Sequence, residues 1–385
     1  MASAAEPTWI AEANNTFALD LYSKLAGTPG NIFFSPSSIE TALAMTYAGA
    51  RGQTATQMAS VLHLPPGDAI HADLGAFIHR LNGAGADANS RGYELSVANA
   101  LWGQKSEQFL PAFTTLLDQN YDAGMRKVDY QHDAEGARKT INDWAAAKTH
   151  DKILDLIPTG VLSPATILTL TSAIYFKGTW ADQFNKQATR DEPFHVSASE
   201  SRQAPTMHRT GSYRYAGTDD CQVLKLPYLG YALSMIILLP SKSDGLPALE
   251  QGLTSAKLSS LTASMMEQRV IVSLPKFKLT QSMELASTLA SMGMTDAFSG
   301  HADFSGMSHD PGIAISNVIH KAYVNVNEAG TEAAAATAVV MVGAVMMPQK
   351  PVTFRADHPF LFLIQDEASG AILFIGRVAT PDAGS

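Results

Sequence analysis

The sequence predicts an α+β fold. Three observations lead there. Helix-like apolar patterns fill the first third, β-branched and aromatic runs dominate from Ile167 onward, and no linker or repeat separates the two. A length of 385 residues argues by itself for two or three domains, and the missing linker weakens that prior.

Trp9 to Ala26 carries Ile10, Phe17, Leu19, Leu21 and Leu25 as a helical stripe. Ser35-Pro36 opens a second helix, because serine caps and proline suits the first turn. It continues through IETALAMTYAGA. Gln53 to Leu62, Ala69 to Leu81 and Ala134 to Thr149 also read as helices. Strands are expected in ILTLTSAIYF, QVLKLPYL, YALSMIILLP and RVIVSLPKFKL. A helix is expected over Met283 to Gly293. Strands return at 319–327, 351–354, 360–365 and 371–378, the last two joined by the hairpin loop DEASG.

Composition removes several function classes. The net charge is −9 and no cluster of five Lys/Arg occurs, which argues against nucleic-acid binding. Charged residues are 16% of the chain, against about 25% in a typical globular protein. The deficit is uneven: residues 333–349, AAAATAVVMVGAVMMPQ, hold no charge. That run is too short for a membrane span, which needs about 20 apolar residues, so no membrane partner is expected. The N-terminus shows no basic start and no apolar core of a signal peptide.

Cys221 is the sole cysteine, so no internal disulfide or thiolate metal cluster can form. It follows Asp219-Asp220, whose charges would raise a thiol pKa, and it reads as inert. His71 and His79 lack an acidic partner at helical spacing. His301 and His309 match no common ligand pattern and read as solvated loop residues. No metal and no cofactor are expected. There is no GxSxG, HExxH or GxxxxGK[ST] motif, so no catalytic residue is assigned and the chain does not read as an enzyme.

The uncharged run reads as a conformational switch. Val324 and Val326 alternate with Asn325 and Asn327, so a strand leads into it. Gly330 offers a pivot. The following Thr331, Glu332 and four alanines could form a short capped helix. With a period of two, however, Thr331, Ala333, Ala335, Thr337, Val339 and Met341 share one uncharged face, small at its start. That face can enter a closed sheet while Glu332 points to water. Loop, helix and inserted strand all remain open to it.

These residues resemble a known family. NEAGTEAAAATAVV looks like the hinge of the serpin reactive-centre loop. NIFFSPSSIETALAMTYAGARGQTATQM, TLTSAIYFKGTWADQF, LPKFKL, MGMTDAFS, DFSGMS and ADHPFLFLI resemble serpin segments in order, from about Ala13 to Pro381. The resemblance implies one domain over 1–385, three β-sheets, about nine helices and an exposed loop at about 328–350. It implies a suicide substrate of serine, and in some members cysteine, proteases. The protease acylates itself on the loop, and the cut loop inserts into the central sheet before deacylation.

By the family's count the seventeenth residue from Glu328, Ala344, precedes the scissile bond, giving Ala344–Val345. Val345–Met346 and Val342–Gly343 are alternatives. A small aliphatic residue there suits an elastase-like or subtilisin-like protease. Met341 or Met346 would admit a chymotrypsin-like one. The implied hinge is Glu328, Gly330, Thr331, Glu332, Ala333, Ala334, Ala335, Ala336 and Thr337.

Ser35, Ser38, Ser172 and His320 match the shutter beneath the central sheet. The family usually has asparagine where Ser172 stands, so the bond to the histidine is expected to be lost or rebuilt through water. Trp180, Lys276 and Glu328 match the breach, where insertion begins. Lys276 and Glu328 match an ion pair there, against the plainer reading of a solvated contact worth under about 1 kcal/mol. Heparin-activated members carry basic residues near an early helix. Here GDAIHADLGAFIHRLNG offers only Arg80 among strong bases, so no heparin activation is expected. A monomer with a liability to loop–sheet polymers is expected. Secretion, or another extracytoplasmic location, is expected, with the cytoplasm as alternative. The Asn14-Asn15-Thr16 sequon would matter only after secretion by a glycosylating cell. A non-inhibitory carrier is the competing function. Such members tend to have bulky, charged or proline hinge residues, which Thr331 to Thr337 lacks apart from Glu332.

Overall fold

Capping and apolar spacing place the helices much as the sequence indicates. The computed structural model describes residues 7–67, 69–83, 92–121, 124–310, 312–331 and 350–382. Helix α1 (Thr8–Leu25) and strand β1 (Ile32–Phe34) lead into α2 (Pro36–Tyr47), α3 (Gly52–Val61) and α4 (Ile70–Leu81). Next come β2 (Tyr93–Gln104), α5 (Pro111–Tyr121), β3 (Met125–Val128), α6 (Tyr130–Lys148) and β4 (Leu168–Thr179). Strands β5 (Arg190–His195), β6 (Ser201–Gly217), β7 (Cys221–Pro227) and β8 (Leu233–Pro240) follow. Helices α7 (Leu246–Gly252) and α8 (Ser255–Ala263) precede β9 (Met266–Pro275) and β10 (Phe277–Glu284). The chain closes with α9 (Ala286–Ser291), β11 (Ile315–Asn327), β12 (Gly330–Thr331), β13 (Val352–Arg355), β14 (Phe360–Asp366) and β15 (Ile372–Val378).

Ser35 caps α2 by accepting from the Ser38 amide, with Pro36 in the first turn. In α6 the backbone breaks at Asp133, so the regular helix does start near Ala134. Helix α9 is shorter than the expected Met283–Gly293. Met283 and Glu284 instead pair with His320 and Ile319, because β10 extends its ladder with β11. Helices α5, α7 and α8 and strands β1, β2, β3, β5 and β6 go beyond the sequence expectation. β2 mixes strand and helix formers, and β6 carries Gly and Pro among polar residues.

The six-stranded sheet has the order β10-β11-β12-β4-β2-β3. β11 and β4 also pair directly, in parallel, from Ile315↔Leu168 to Tyr323↔Tyr175. β12 separates them only at the end of that seam. The remaining nine strands form one hydrogen-bonded network, where the resemblance implies two further sheets. The 17-residue β6 joins them, pairing with β9 over Thr206–Tyr215 and with β7 over Arg214–Gly217.

The main apolar core lies among the sheets, α1 to α5 and α7 to α9, with Phe33, Phe176, Phe362 and Phe374 fully buried. A second cluster seats α6 on the six-stranded sheet through Tyr130, Ile141, Ala145, Trp102 and Tyr175. Burial of this kind, at about 25 cal/mol per Å², dominates folding.

Candidate functional site: the shutter, the breach and the hinge

His320 on β11, Ser172 on β4 and Asn99 on β2 lie in one cross-strand row. The N-terminus of α2 packs beneath it. All five shutter groups, Ser35, Ser38, Asn99, Ser172 and His320, are buried. The Ser35 amide donates to His320 Nε2 at 3.1 Å, so that nitrogen is unprotonated. The proton therefore sits on Nδ1, which donates to Ser172 Oγ at 2.9 Å. Ser172 in turn donates to Ser38 Oγ (2.9 Å), and Ser38 donates to Asn99 Oδ1 (2.9 Å). Asn99 returns a bond to the Ser38 carbonyl at 3.0 Å. Both ends of this chain fix the same direction. Burial pushes the His320 pKa down to about 3, which keeps the ring neutral.

Two expectations change here. The Ser172–His320 bond is direct, neither lost nor rebuilt through water. Serine reaches because β4 and β11 hold the two residues in register. Asn99 was missed altogether. Its signal would have been its place opposite Ser172, which only strand pairing reveals.

At the breach, Trp180 is buried and stacks on Tyr228 with ring centroids 4.6 Å apart at 11°. Its indole N–H donates to the Asn327 carbonyl (3.0 Å) and its amide to the Ala329 carbonyl (3.0 Å). The Phe184 amide donates to the Glu328 carbonyl at 2.8 Å. The Glu328 carboxylate lies 3.2 Å from Lys276 Nζ and accepts from the Thr189 hydroxyl at 2.8 Å. Burial pushes its pKa up, but backbone and Thr189 hydrogen bonds and the Lys276 charge outweigh this and hold it below the ordinary value. The pair is shielded on one side only, with the Glu328 side chain 8% exposed and that of Lys276 31%.

The hinge enters the sheet immediately after. Gly330 and Thr331 pair antiparallel with Asn327 and Val326 of β11 and with Thr179 and Gly178 of β4. Gly330 has φ +149°, and a Cβ there would meet the Gly178 carbonyl oxygen at 2.0 Å, so only glycine fits. Thr331 is fully buried, and its Oγ1 lies 2.8 Å from the Tyr228 hydroxyl. Sequence reasoning did not find Tyr228. Glu332, Ala333, Ala334, Ala335, Ala336, Thr337, Ala344 and Val345 lie outside the described residues.

Elsewhere, both Arg80 nitrogens bond Asp366, at 3.0 and 2.8 Å, with the carboxylate 1% exposed. The early helix's strong base is thus engaged internally. Cys221 is buried, and burial, more than the Asp220 charge, pushes its thiol pKa up. Asn14 is fully buried and bonds the Ile372 carbonyl at 3.0 Å, so the folded sequon has no room for a glycan. No group of three His, Cys, Asp or Glu among the described residues could hold a metal ion.

A parallel seam already parted at the Thr179 end by the next segment of the same chain is a sheet built to accept a further strand of its own. The chain belongs to the serpin family: the serpin (serine protease inhibitor) family model matches residues 12–381. It is 43% identical to the leukocyte elastase inhibitor of Homo sapiens, over 97% of this chain and 99% of that protein. It is 44% identical to serpin B6 of Macaca fascicularis, again over 97% and 99%. Its fold matches the crystal structure of uncleaved ovalbumin with TM-score 0.87 and 32% identity, over 97% of this chain and 100% of that one. The chain is a protease inhibitor of this family and not an enzyme.

Proposed function

We propose that the chain traps an elastase-like or subtilisin-like serine protease that cuts at Ala344–Val345. The observation that carries this is β12. Gly330 and Thr331, at the start of the hinge, already sit as a strand between β11 and β4, antiparallel to both. Continued insertion replaces one parallel ladder by two antiparallel ones, which are slightly more stable per residue. About ten added backbone hydrogen bonds at roughly 1 kcal/mol each, with burial of the small face from Ala333 onward, outweigh the ordering cost. A relative named leukocyte elastase inhibitor supports a protease with a small apolar specificity pocket.

The test is incubation with elastase-like, subtilisin-like and chymotrypsin-like proteases. A complex that survives denaturing electrophoresis, with a released fragment beginning at Val345, is expected. Clean loop cleavage without a complex would overturn the reading. Heparin should accelerate the reaction less than about tenfold, since phosphate- or sulfate-binding affinity needs clustered Lys/Arg. We place the chain outside the cytoplasm by proposal, and fractionation of the source cells checks it. A chain secreted after folding would carry no glycan at Asn14.

A further inference from the structure

Tyr228 directly follows β7 and is fully buried. Trp180 stacks on one face of its ring, and Phe176 meets it edge-on at 5.1 Å and 79°. These contacts fix the ring and aim its hydroxyl at Thr331, a hinge residue seated in the sheet. One hydroxyl donates to the other away from water. We propose that Tyr228 is a positioning residue of the inhibitory reaction: its hydroxyl latches Thr331 between β11 and β4, so insertion starts from a seated strand. The proposal rests on the loop-insertion reading above.

The consequence is kinetic. After acylation, insertion races hydrolysis of the acyl bond. A seated β12 has already met the cost of parting β11 from β4 at the breach, and each further residue adds its bonds in sequence. If the latch fails, a buried Thr331 hydroxyl has no partner, the hinge leaves the sheet, and insertion must nucleate again. More inhibitor is then consumed as substrate.

The chemistry of a paired hydroxyl makes this separable from packing. Tyr228→Phe keeps the ring and orphans Thr331. Thr331→Val keeps the shape and orphans Tyr228. Removing both leaves neither group unsatisfied, which is close to neutral. Each single variant should raise the partition ratio of substrate to inhibitory turnover, the stoichiometry of inhibition minus one, about five-fold, the rate factor of one neutral hydrogen bond. Each should also speed amide hydrogen exchange in the segment Glu328–Thr331. The double variant should return to within about two-fold of the parent on both measures. Singles that match the parent, or a double variant as impaired as the sum of the singles, would overturn the latch. A parent that forms no complex with any of the proteases would instead overturn the insertion reading, and the latch with it.

Discussion

His320 shows what a single buried ring contributes. Its pKa is about 3 in the folded chain against an ordinary 6.5. The unfolded chain therefore binds the proton first, so the stabilisation is complete above pH 6.5 and is lost as pH falls toward 3. Glu328, held below its ordinary 4.5, adds a loss that sets in only below that value. Denaturant melts should thus weaken between pH 6.5 and 4.5, and His320→Gln should flatten that limb. An unchanged slope in the variant would contradict the neutral-histidine chain. Lys276→Met leaves the Glu328 carboxylate with hydrogen bonds but no counter-charge. Lys276 is 31% exposed, so solvent screening holds the expected loss to about 1 kcal/mol, read by thermal melts at neutral pH.

At the scale of elements, the row His320–Ser172–Ser38–Asn99 ties β11, β4, α2 and β2 together where β11 and β4 must part. Ser172→Ala leaves the His320 Nδ1–H and the Ser38 hydroxyl short of one partner each. A cost of about 2 kcal/mol is expected, since buried orphaned donors are expensive. The same variant should polymerise faster at mild heat, seen as ladders on native gels, because the seam opens more easily to a neighbour's loop. Ladders no faster than the parent's would place the restraint elsewhere, in the α6 packing over Tyr175 and Trp102.

For the whole molecule, cleavage at the loop should stabilise rather than weaken the fold. About ten new strand hydrogen bonds at roughly 1 kcal/mol each, converted at about 1–2 °C per kcal/mol for a chain of this size, raise the melting temperature by about 10–20 °C. Calorimetry of intact and loop-cleaved protein checks this, and equal melting temperatures would contradict insertion. The Asn14 contact with Ile372 makes a further whole-chain statement. Helix α1 is pinned to β15 by a side chain that a glycan would displace.

Much of this was legible in sequence order. The Ser35-Pro36 helix start, the strands from Ile167, the pivot at Gly330 and the small uncharged face beginning at Thr331 follow from local preference, because capping, φ and periodicity act between near neighbours. The fold class came from the same source, whereas residues 333–349 lie outside the described residues. What tertiary structure alone decided are the pairings between distant residues. Asn99 opposite Ser172, Tyr228 against Thr331 and Arg80 on Asp366 are joined only by strand register and packing. Met283 and Glu284 became strand because β11 offered them partners. Thr331 illustrates the division: its sequence neighbourhood allows loop, helix or strand, and the choice falls to a parted seam and one buried hydroxyl.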